Sequence, residues 1–252
     1  MLDFEGRRVV ITGAAGGIGR SLVETFAACG AAVVACDQEG ANLSAEGIAE
    51  AHHFDLLDDA AVEDAVRKIV DGGGPAAVIS NAGWTRAETL GQLSQDALSK
   101  EIDLNLRSAA VLSRAFLPSM RNQPKGAAFV FISSVNAFAH FGNPAYAAAK
   151  AGLNAWMRAI ATEEARHGIR ANAIAPGSVR TPAWDHRIER DPAIAERIAR
   201  LYPIGRLVEP AEVARTAVFL ASPLASGING VTLPVDGGVL AGNLPFLEQI
   251  SE

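Results

Sequence analysis

Short apolar runs near residues 7–12, 31–36, 76–80, 127–132, 170–174 and 231–235, with a shorter one near 52–54, alternate with stretches of helical period, the longest near 94–121 and 144–167. No other feature restricts the fold as strongly. Runs of this length suit buried strands. Strands separated by helices do not pair as hairpins; they lie parallel and need helices on both faces. The expected fold is therefore α/β, a doubly wound parallel sheet of about seven strands. With 252 residues, no internal repeat and no low-complexity linker, the pattern predicts a single domain over residues 1–252. Ligands of such sheets bind beyond the carboxyl ends of the strands, so candidate site residues should collect there.

The first run, Arg7 to Thr12, leads into Gly13-Ala14-Ala15-Gly16-Gly17-Ile18-Gly19 and then a helix from Arg20 to Cys29. Glycines let backbone amides close on a phosphate, and a helix N-terminus offers unpaired N–H groups and a positive dipole end. The spacing Gly13-x-x-x-Gly17-x-Gly19 departs from the G-x-G-x-x-G dinucleotide fingerprint and lacks the Lys-Ser/Thr ending of a P-loop. Taken alone, it serves equally well as a tight strand-to-helix connection. The next run, Ala31 to Asp37, ends in a carboxylate about 20 residues beyond the turn, where an acid takes a ribose 2′-hydroxyl. Asp37 therefore favours NAD over NADP. A 2′-phosphate would meet its negative charge, and neither Gln38 nor Ala14-Ala15 supplies a cation.

A second motif is Asn143-Pro144-Ala145-Tyr146-Ala147-Ala148-Ala149-Lys150. Asn143 is a favoured N-cap and Pro144 a favoured first helical residue, which puts Tyr146 in the first turn and Lys150 beside it on the same face. An ammonium ~4 Å from the phenol, at an effective dielectric of ~20, contributes ~4 kcal/mol, or roughly three pKa units. That predicts a Tyr146 acidic enough to act as a general base. The alternative is a chance pair on an amphipathic helix. With tyrosines only at 146 and 202 and lysines at 68, 100, 125 and 150, such a spacing arises by chance about 3% of the time.

These motifs, in this order, resemble the short-chain dehydrogenase/reductase family in its NAD(P)-dependent type, over nearly the whole chain. Thr12-Gly13-Ala14-Ala15-Gly16-Gly17-Ile18-Gly19 resembles the family's cofactor turn, Asp55-Leu56 its adenine contact, and Asn81-Ala82-Gly83 its motif after the fourth strand. Pro176-Gly177-Ser178-Val179-Arg180-Thr181 resembles the segment that holds the nicotinamide amide, and Val235-Asp236-Gly237-Gly238 the last strand. The resemblance implies a Rossmann-like fold and a catalytic tetrad of Asn105, Ser134, Tyr146 and Lys150. Tyr146 would exchange the proton, Lys150 would lower its pKa and bind the nicotinamide ribose, Ser134 would hold the substrate oxygen, and Asn105 would sit at a helix irregularity feeding a water chain. Cofactor contacts are expected from Gly13, Gly17, Ile18, Gly19, Asp37, Asp55, Leu56, Asn81, Ala82, Gly83, Tyr146, Lys150, Pro176, Gly177, Val179 and Thr181. One departure stands out: eleven residues lie between Ser134 and Tyr146, one fewer than the family's usual spacing, which Ser133 would restore. Ser134 is preferred because it precedes the apolar Val135, and the loop from Asn136 to Asn143 can absorb a deletion.

The resemblance implies a substrate loop at about 182–206. Trp84, Asn136, His140, Trp184 and His186 are the lining candidates; aromatic faces mixed with hydrogen-bonding groups suit a sugar, polyol or hydroxy acid. The alternative is that each tryptophan packs under a loop and each histidine faces water. The expected activity is hydride transfer between a secondary alcohol and a nicotinamide. A 3-oxoacyl or other keto-group reductase shares the tetrad but generally prefers NADPH. A non-catalytic NAD-sensing protein typically loses the tyrosine or lysine, and both are present.

Composition narrows the partners. A net charge of −6 is the wrong sign for broad attraction to nucleic acid or anionic lipid. No apolar run reaches the ~18 residues of a membrane span, and the first strand begins too early for a signal peptide. Cys29 and Cys36 form no disulfide framework, and the five histidines form no ligand cluster, so no metal is expected. A cytoplasmic location follows as an expectation. The alanine-rich long helices, together with the resemblance, imply a homotetramer or a homodimer.

Overall fold

The computed structural model describes residues 4–86 and 89–251, without the side chains of residues 183 and 186. Seven strands form one parallel sheet: β1 (Arg8–Thr12), β2 (Ala32–Asp37), β3 (Ile48–His53), β4 (Ala77–Ser80), β5 (Ala127–Ile132), β6 (Ile169–Pro176) and β7 (Thr232–Val235). Their spatial order is β3-β2-β1-β4-β5-β6-β7. The chain winds outward from β1 to β3, returns to β4 beside β1, and winds the other way. This reversal opens a crevice at the carboxyl ends of β1 and β4, where doubly wound folds bind ligands.

Alternation along the strands builds two apolar layers, because successive side chains point to opposite faces. On one face, Val9 and Ile11 of β1 and Val130 of β5 pack with Leu22 and Phe26 of α1 (Gly17–Ala28) and Val213, Ala217 and Val218 of α8 (Pro210–Ala221). On the other, Val10, Phe129 and Phe131 meet Val62, Val66 and Ile69 of α2 (Asp59–Asp71), Leu112 and Phe116 of α4 (Ser108–Met120), and Leu153 and Met157 of α5 (Pro144–Glu163). Phe26 is fully buried and stands edge-on to Phe4 at 5.2 Å between centroids. Burial of one such ring contributes about 2–3 kcal/mol. The two edge strands are less covered. In β3 half-buried and exposed residues alternate, while β4 and β5 are buried throughout.

The long helix expected near 94–121 is three consecutive segments. These are α3 (Gln95–Ile102), a five-residue π-helical turn (Asp103–Arg107) and α4. Ser94 caps α3 by accepting from Ala97 N–H, which fixes its start. The helix expected near 144–167 runs as α5 to Glu163 and ends in a 3-10 turn at Ala165–His167. Two short helices follow β6, α6 (Asp185–Arg190) and α7 (Ile194–Ala199), and α9 (Leu244–Ile250) lies after β7. Among the described residues no helix is long and apolar enough to cross a membrane.

Candidate active site

At the end of β1 the chain turns through Gly13, whose φ of +64° lies in the left-handed region that glycine adopts at no steric cost. A Cβ on Gly13 would fall 2.9 Å from Ala82 Cα, and one on Gly19 would collide with Gly13 O. The turn is thus tight because neither residue carries a side chain. Gly16 is the N-cap of α1 and provides no side-chain hydrogen bond, and the first turn holds no acid. An anion there would meet backbone donors and the dipole without competition.

Around the turn lies a cavity of about 680 Å³. Its wall includes Gly13, Gly17, Ile18, Gly19, Asp37, Asp55, Leu56, Asn81, Ala82, Gly83 and Thr181, so eleven of the expected cofactor residues converge on one space. Asp37 accepts from Ala15 N–H at 2.9 Å and Gln38 N–H at 2.8 Å, which aims its carboxylate at the turn. Asp55 accepts from Leu57 N–H. Asn81 fastens β4 to β1: its Nδ2 donates to the carbonyls of Thr12 and Gly13 at 3.0 Å each, and its N–H donates to Thr12 Oγ1. A glycine cradle, an anion-ready helix end and an acid one strand away fit a dinucleotide. Pro176, Gly177 and Val179 lie just beyond that wall. Pro176 ends β6 against Val235, Gly177 N–H donates to Val235 O, and the buried Val179 bridges Val208.

The four residues of the expected tetrad meet at the same edge. Asn105 occupies the π turn and is buried. Its Nδ2 donates to Trp84 O at 2.7 Å and Glu101 O at 2.9 Å, while its Oδ1 accepts from Trp84 N–H. The irregularity implied by the resemblance is therefore a wide helical turn that the asparagine staples to the loop after β4. Lys150 is buried, donates to Ile132 O at 2.8 Å, and places Nζ 5.4 Å from the centre of the Tyr146 ring. A Cβ on Gly83 would lie 2.7 Å from Asn105 Oδ1 and 3.4 Å from Lys150 Nζ. The Ser134 hydroxyl adjoins the Tyr146 phenol and favours its ionised form, while Ser134 Oγ donates to Asn136 Oδ1 at 3.3 Å and accepts from Asn136 N–H. Ser133 turns away, its hydroxyl 3.5 Å from Lys150 O.

Two local expectations need correction. Asn143 precedes the helix as anticipated but sits at φ 53° with no side-chain capping bond; its carbonyl begins the ladder by accepting from Ala147 N–H. The Tyr146 phenol is not made acidic by its surroundings. Burial pushes it up to about 12, the Glu101 charge adds to that, and the Ser134 hydrogen bond opposes it. Burial also takes Lys150 down to about 8. The physical reason is common to both: a low-dielectric setting disfavours the charged form of each.

The lining candidates scatter. Trp84 borders the cofactor cavity, 41% exposed, with Lys100 Nζ 5.4 Å from its ring centre. Asn136 is close to the tetrad and donates N–H to Ser134 Oγ, while its Nδ2 donates to Gly142 O. His140 is exposed. Trp184 packs in a small cluster with Tyr202 and Leu207 under the Arg187 guanidinium. The His186 side chain lies outside the described residues. Several residues at the site carried no expectation. Lys100 and Leu104 border the cavity, and Glu101, fully buried, accepts from Thr85 Oγ1 and Arg86 N–H. An acid four residues before Asn105, on the face that α3 buries, was the available signal. Among the described residues no group of three His, Cys, Asp or Glu side chains could hold a metal ion.

A family model described as Enoyl-(Acyl carrier protein) reductase matches residues 13–240. An uncharacterized oxidoreductase of Schizosaccharomyces pombe is 41% identical over 250 residues, covering 99% of this chain and 96% of that protein. The 3-oxoacyl-[acyl-carrier-protein] reductase FabG of Escherichia coli is 35% identical over 246 residues, covering 94% and 99%. The crystal structure of an oxidoreductase of the short-chain dehydrogenase/reductase family from Burkholderia thailandensis superposes with a TM-score of 0.91 at 37% identity, covering 98% and 97%. With the glycine turn, the doubly wound sheet and these likenesses spanning nearly its full length, the chain belongs to the short-chain dehydrogenase/reductase family of oxidoreductases.

Proposed function

We propose that this protein is an NAD-dependent oxidoreductase that interconverts a secondary alcohol and a ketone by hydride transfer, acting on a small polar substrate such as a sugar, polyol or hydroxy acid. The observation that carries the reading is Lys150 Nζ 5.4 Å from the centre of the Tyr146 ring, with Ser134 beside the phenol. A bound nicotinamide supplies the hydride acceptor or donor. Gly13, Gly17, Ile18 and Gly19 would hold the pyrophosphate, Asp37 the adenine ribose, Asp55 and Leu56 the adenine, and Pro176 to Thr181 the nicotinamide amide. Ser134 would donate to the substrate oxygen and stabilise its developing charge. Tyr146 would exchange the proton with that oxygen, and Asn105 would support a relay from Lys150 outward. Because burial favours the neutral phenol, Tyr146 is suited to protonating a ketone; the reverse step needs Lys150 charged, the form that burial disfavours above about pH 8.

Asp37 supports NAD: its carboxylate faces the cavity where a 2′-phosphate would have to lie. Asn136 beside Ser134 supports a substrate with more than one hydroxyl or a carboxylate. A second reading, reduction of a 3-oxoacyl or other keto group, is favoured by the relatives named for that activity. The test is a change of absorbance at the reduced-nicotinamide band. Polyols, sugars and hydroxy acids with NAD or NADP are run against a 3-oxoacyl thioester with NADH or NADPH. NADH formed from a polar alcohol supports the first reading; activity confined to NADPH and the thioester replaces it with the second. Bound coenzyme without turnover of any substrate would leave an NAD-sensing role. A homotetramer or homodimer in the cytoplasm completes the proposal, supported by exposed Leu224, Val231, Phe246 and Ile250.

A further inference from the structure

Three consecutive residues of the segment after α7 each rest on a different glycine. A Cβ on Gly177 would lie 2.7 Å from Tyr202 Cε1, one on Gly238 would lie 3.2 Å from Pro203 Cγ, and one on Gly237 would lie 2.6 Å from Ile204 Cδ1. Gly177 follows β6, and Gly237 and Gly238 follow β7. The three glycines form a seat, and Tyr202-Pro203-Ile204 is the strap across it. Backbone bonds fix the register: Ile204 N–H donates to Gly237 O, and Val208 N–H to Ser178 O. One polar bond crosses the seat from a side chain. Ser178 N–H donates to the Tyr202 hydroxyl at 2.7 Å, with Tyr202 only 6% exposed. The same ring belongs to a cluster with Trp184 and Leu207, against which Ile188, Ile194 and Ile198 of α6 and α7 pack. Tyr202 thus touches the core of the 182–206 segment on one side and the Pro176–Thr181 turn on the other.

We infer that Tyr202 is a positioning residue that couples closure of the 182–206 segment to nicotinamide binding, because its hydroxyl sets the Ser178 backbone in the turn that would hold the nicotinamide amide. The inference rests on the proposed role of that turn. Coupling is reciprocal: whatever nicotinamide does to order the segment, an ordered segment does for nicotinamide affinity. Removing the hydroxyl leaves the part-buried Ser178 N–H without its acceptor and frees the turn to leave its binding geometry; a turn in that geometry about one time in ten binds about tenfold more weakly.

The test compares NADH with ADP-ribose, which lacks the nicotinamide, in wild type, Tyr202→Phe and Thr181→Val. Wild-type protein should bind NADH with slowed tryptic cleavage after Arg187, Arg190, Arg197 and Arg200, and ADP-ribose should give no such protection. Tyr202→Phe should bind NADH about tenfold more weakly, bind ADP-ribose unchanged, and lose the protection. Gly177→Ala, which drives a methyl into the ring from the opposite side, should repeat that pattern if Tyr202→Phe folds poorly. If Thr181→Val loses NADH affinity while Tyr202→Phe keeps both affinity and protection, the coupling is wrong and the role of the turn survives. If Thr181→Val also binds NADH normally, the role of the turn fails and takes the coupling with it. Equal weakening toward both ligands would mark a general loosening and overturn the inference.

Discussion

The glycine turn and the 182–206 segment both follow strand ends at the carboxyl edge of the sheet, yet they are held by different means. The turn hangs from β1 and β4, which are buried on both faces, and Asn81 ties the two strands with hydrogen bonds to backbone groups. The segment has its own small core of Trp184, Tyr202 and Leu207, and its hold on the sheet is the strap over three glycines. The first region is stiff because it shares the domain's core. The second can open without disturbing that core, since few of its apolar contacts belong to it. A family enzyme needs both properties, a rigid dinucleotide cradle and a cover that admits substrate.

The rigid half is tested first by chemistry. Tyr146→Phe should lower kcat at least 10³-fold while NADH affinity, read by fluorescence titration, changes little; undiminished turnover would remove the basis of the proposed mechanism. Lys150→Met should lower kcat/KM about 10²-fold and weaken NADH binding. A cation favours the phenolate, so its removal should also move the ascending acid-side limb of the oxidation pH profile to higher pH. An unmoved limb would separate Lys150 from the titration of Tyr146. Asp37→Ala should shift the ratio of kcat/KM for NAD over NADP by about tenfold toward NADP, through loss of one hydrogen-bonding carboxylate and its repulsion.

The smallest effect belongs to the softer half. Arg206, at the end of the segment, donates to both oxygens of Glu212 at 2.8 Å in the first turn of α8. That contact and the Glu209 N–H hold the Glu212 carboxyl down to about 2. A depressed carboxyl contributes stability above its unfolded value of ~4.3, and the contribution is lost as pH falls toward the folded value. The Arg206 side chain is 51% exposed, so screening limits the contribution to about 1 kcal/mol or less. Glu212→Gln should therefore lower the melting temperature slightly at pH 7 and not at pH 2. A large loss at pH 7 would mean that the segment is anchored by charge more than by its apolar core.

Most of the sheet was legible because central parallel strands are apolar throughout, and six of seven runs stand out for that reason. β3 stood out less: a short strand was expected near 52–54, and the structure extends it back to Ile48–His53, where alternate residues are exposed and Glu50, His52 and His53 interrupt the apolar run. The glycine turn and Asp37 were legible from spacing along one βαβ unit, while Asp55, Leu56 and Asn81 to Gly83 were legible through the family resemblance. The sign of the Tyr146 shift was not: a sequence displays the lysine one turn away but not the burial that raises the phenol. Trp184 and Tyr202 illustrate the same limit. Trp184 packs with Tyr202, Tyr202 meets glycines that follow two other strands, and no local pattern reports either meeting.

The π turn at Asp103–Arg107 has a consequence for how this chain can tolerate insertions and deletions. Each residue in a helix advances the side-chain direction by about 100°. Trimming one residue from that turn would restore ordinary helical winding but swing Leu112, Phe116 and Met120, all fully or nearly fully buried, out of phase with the sheet. The extra residue is thus a phase adjuster as well as a perch for Asn105, and shortening the helix there would trade a smoother backbone for a misdirected apolar stripe.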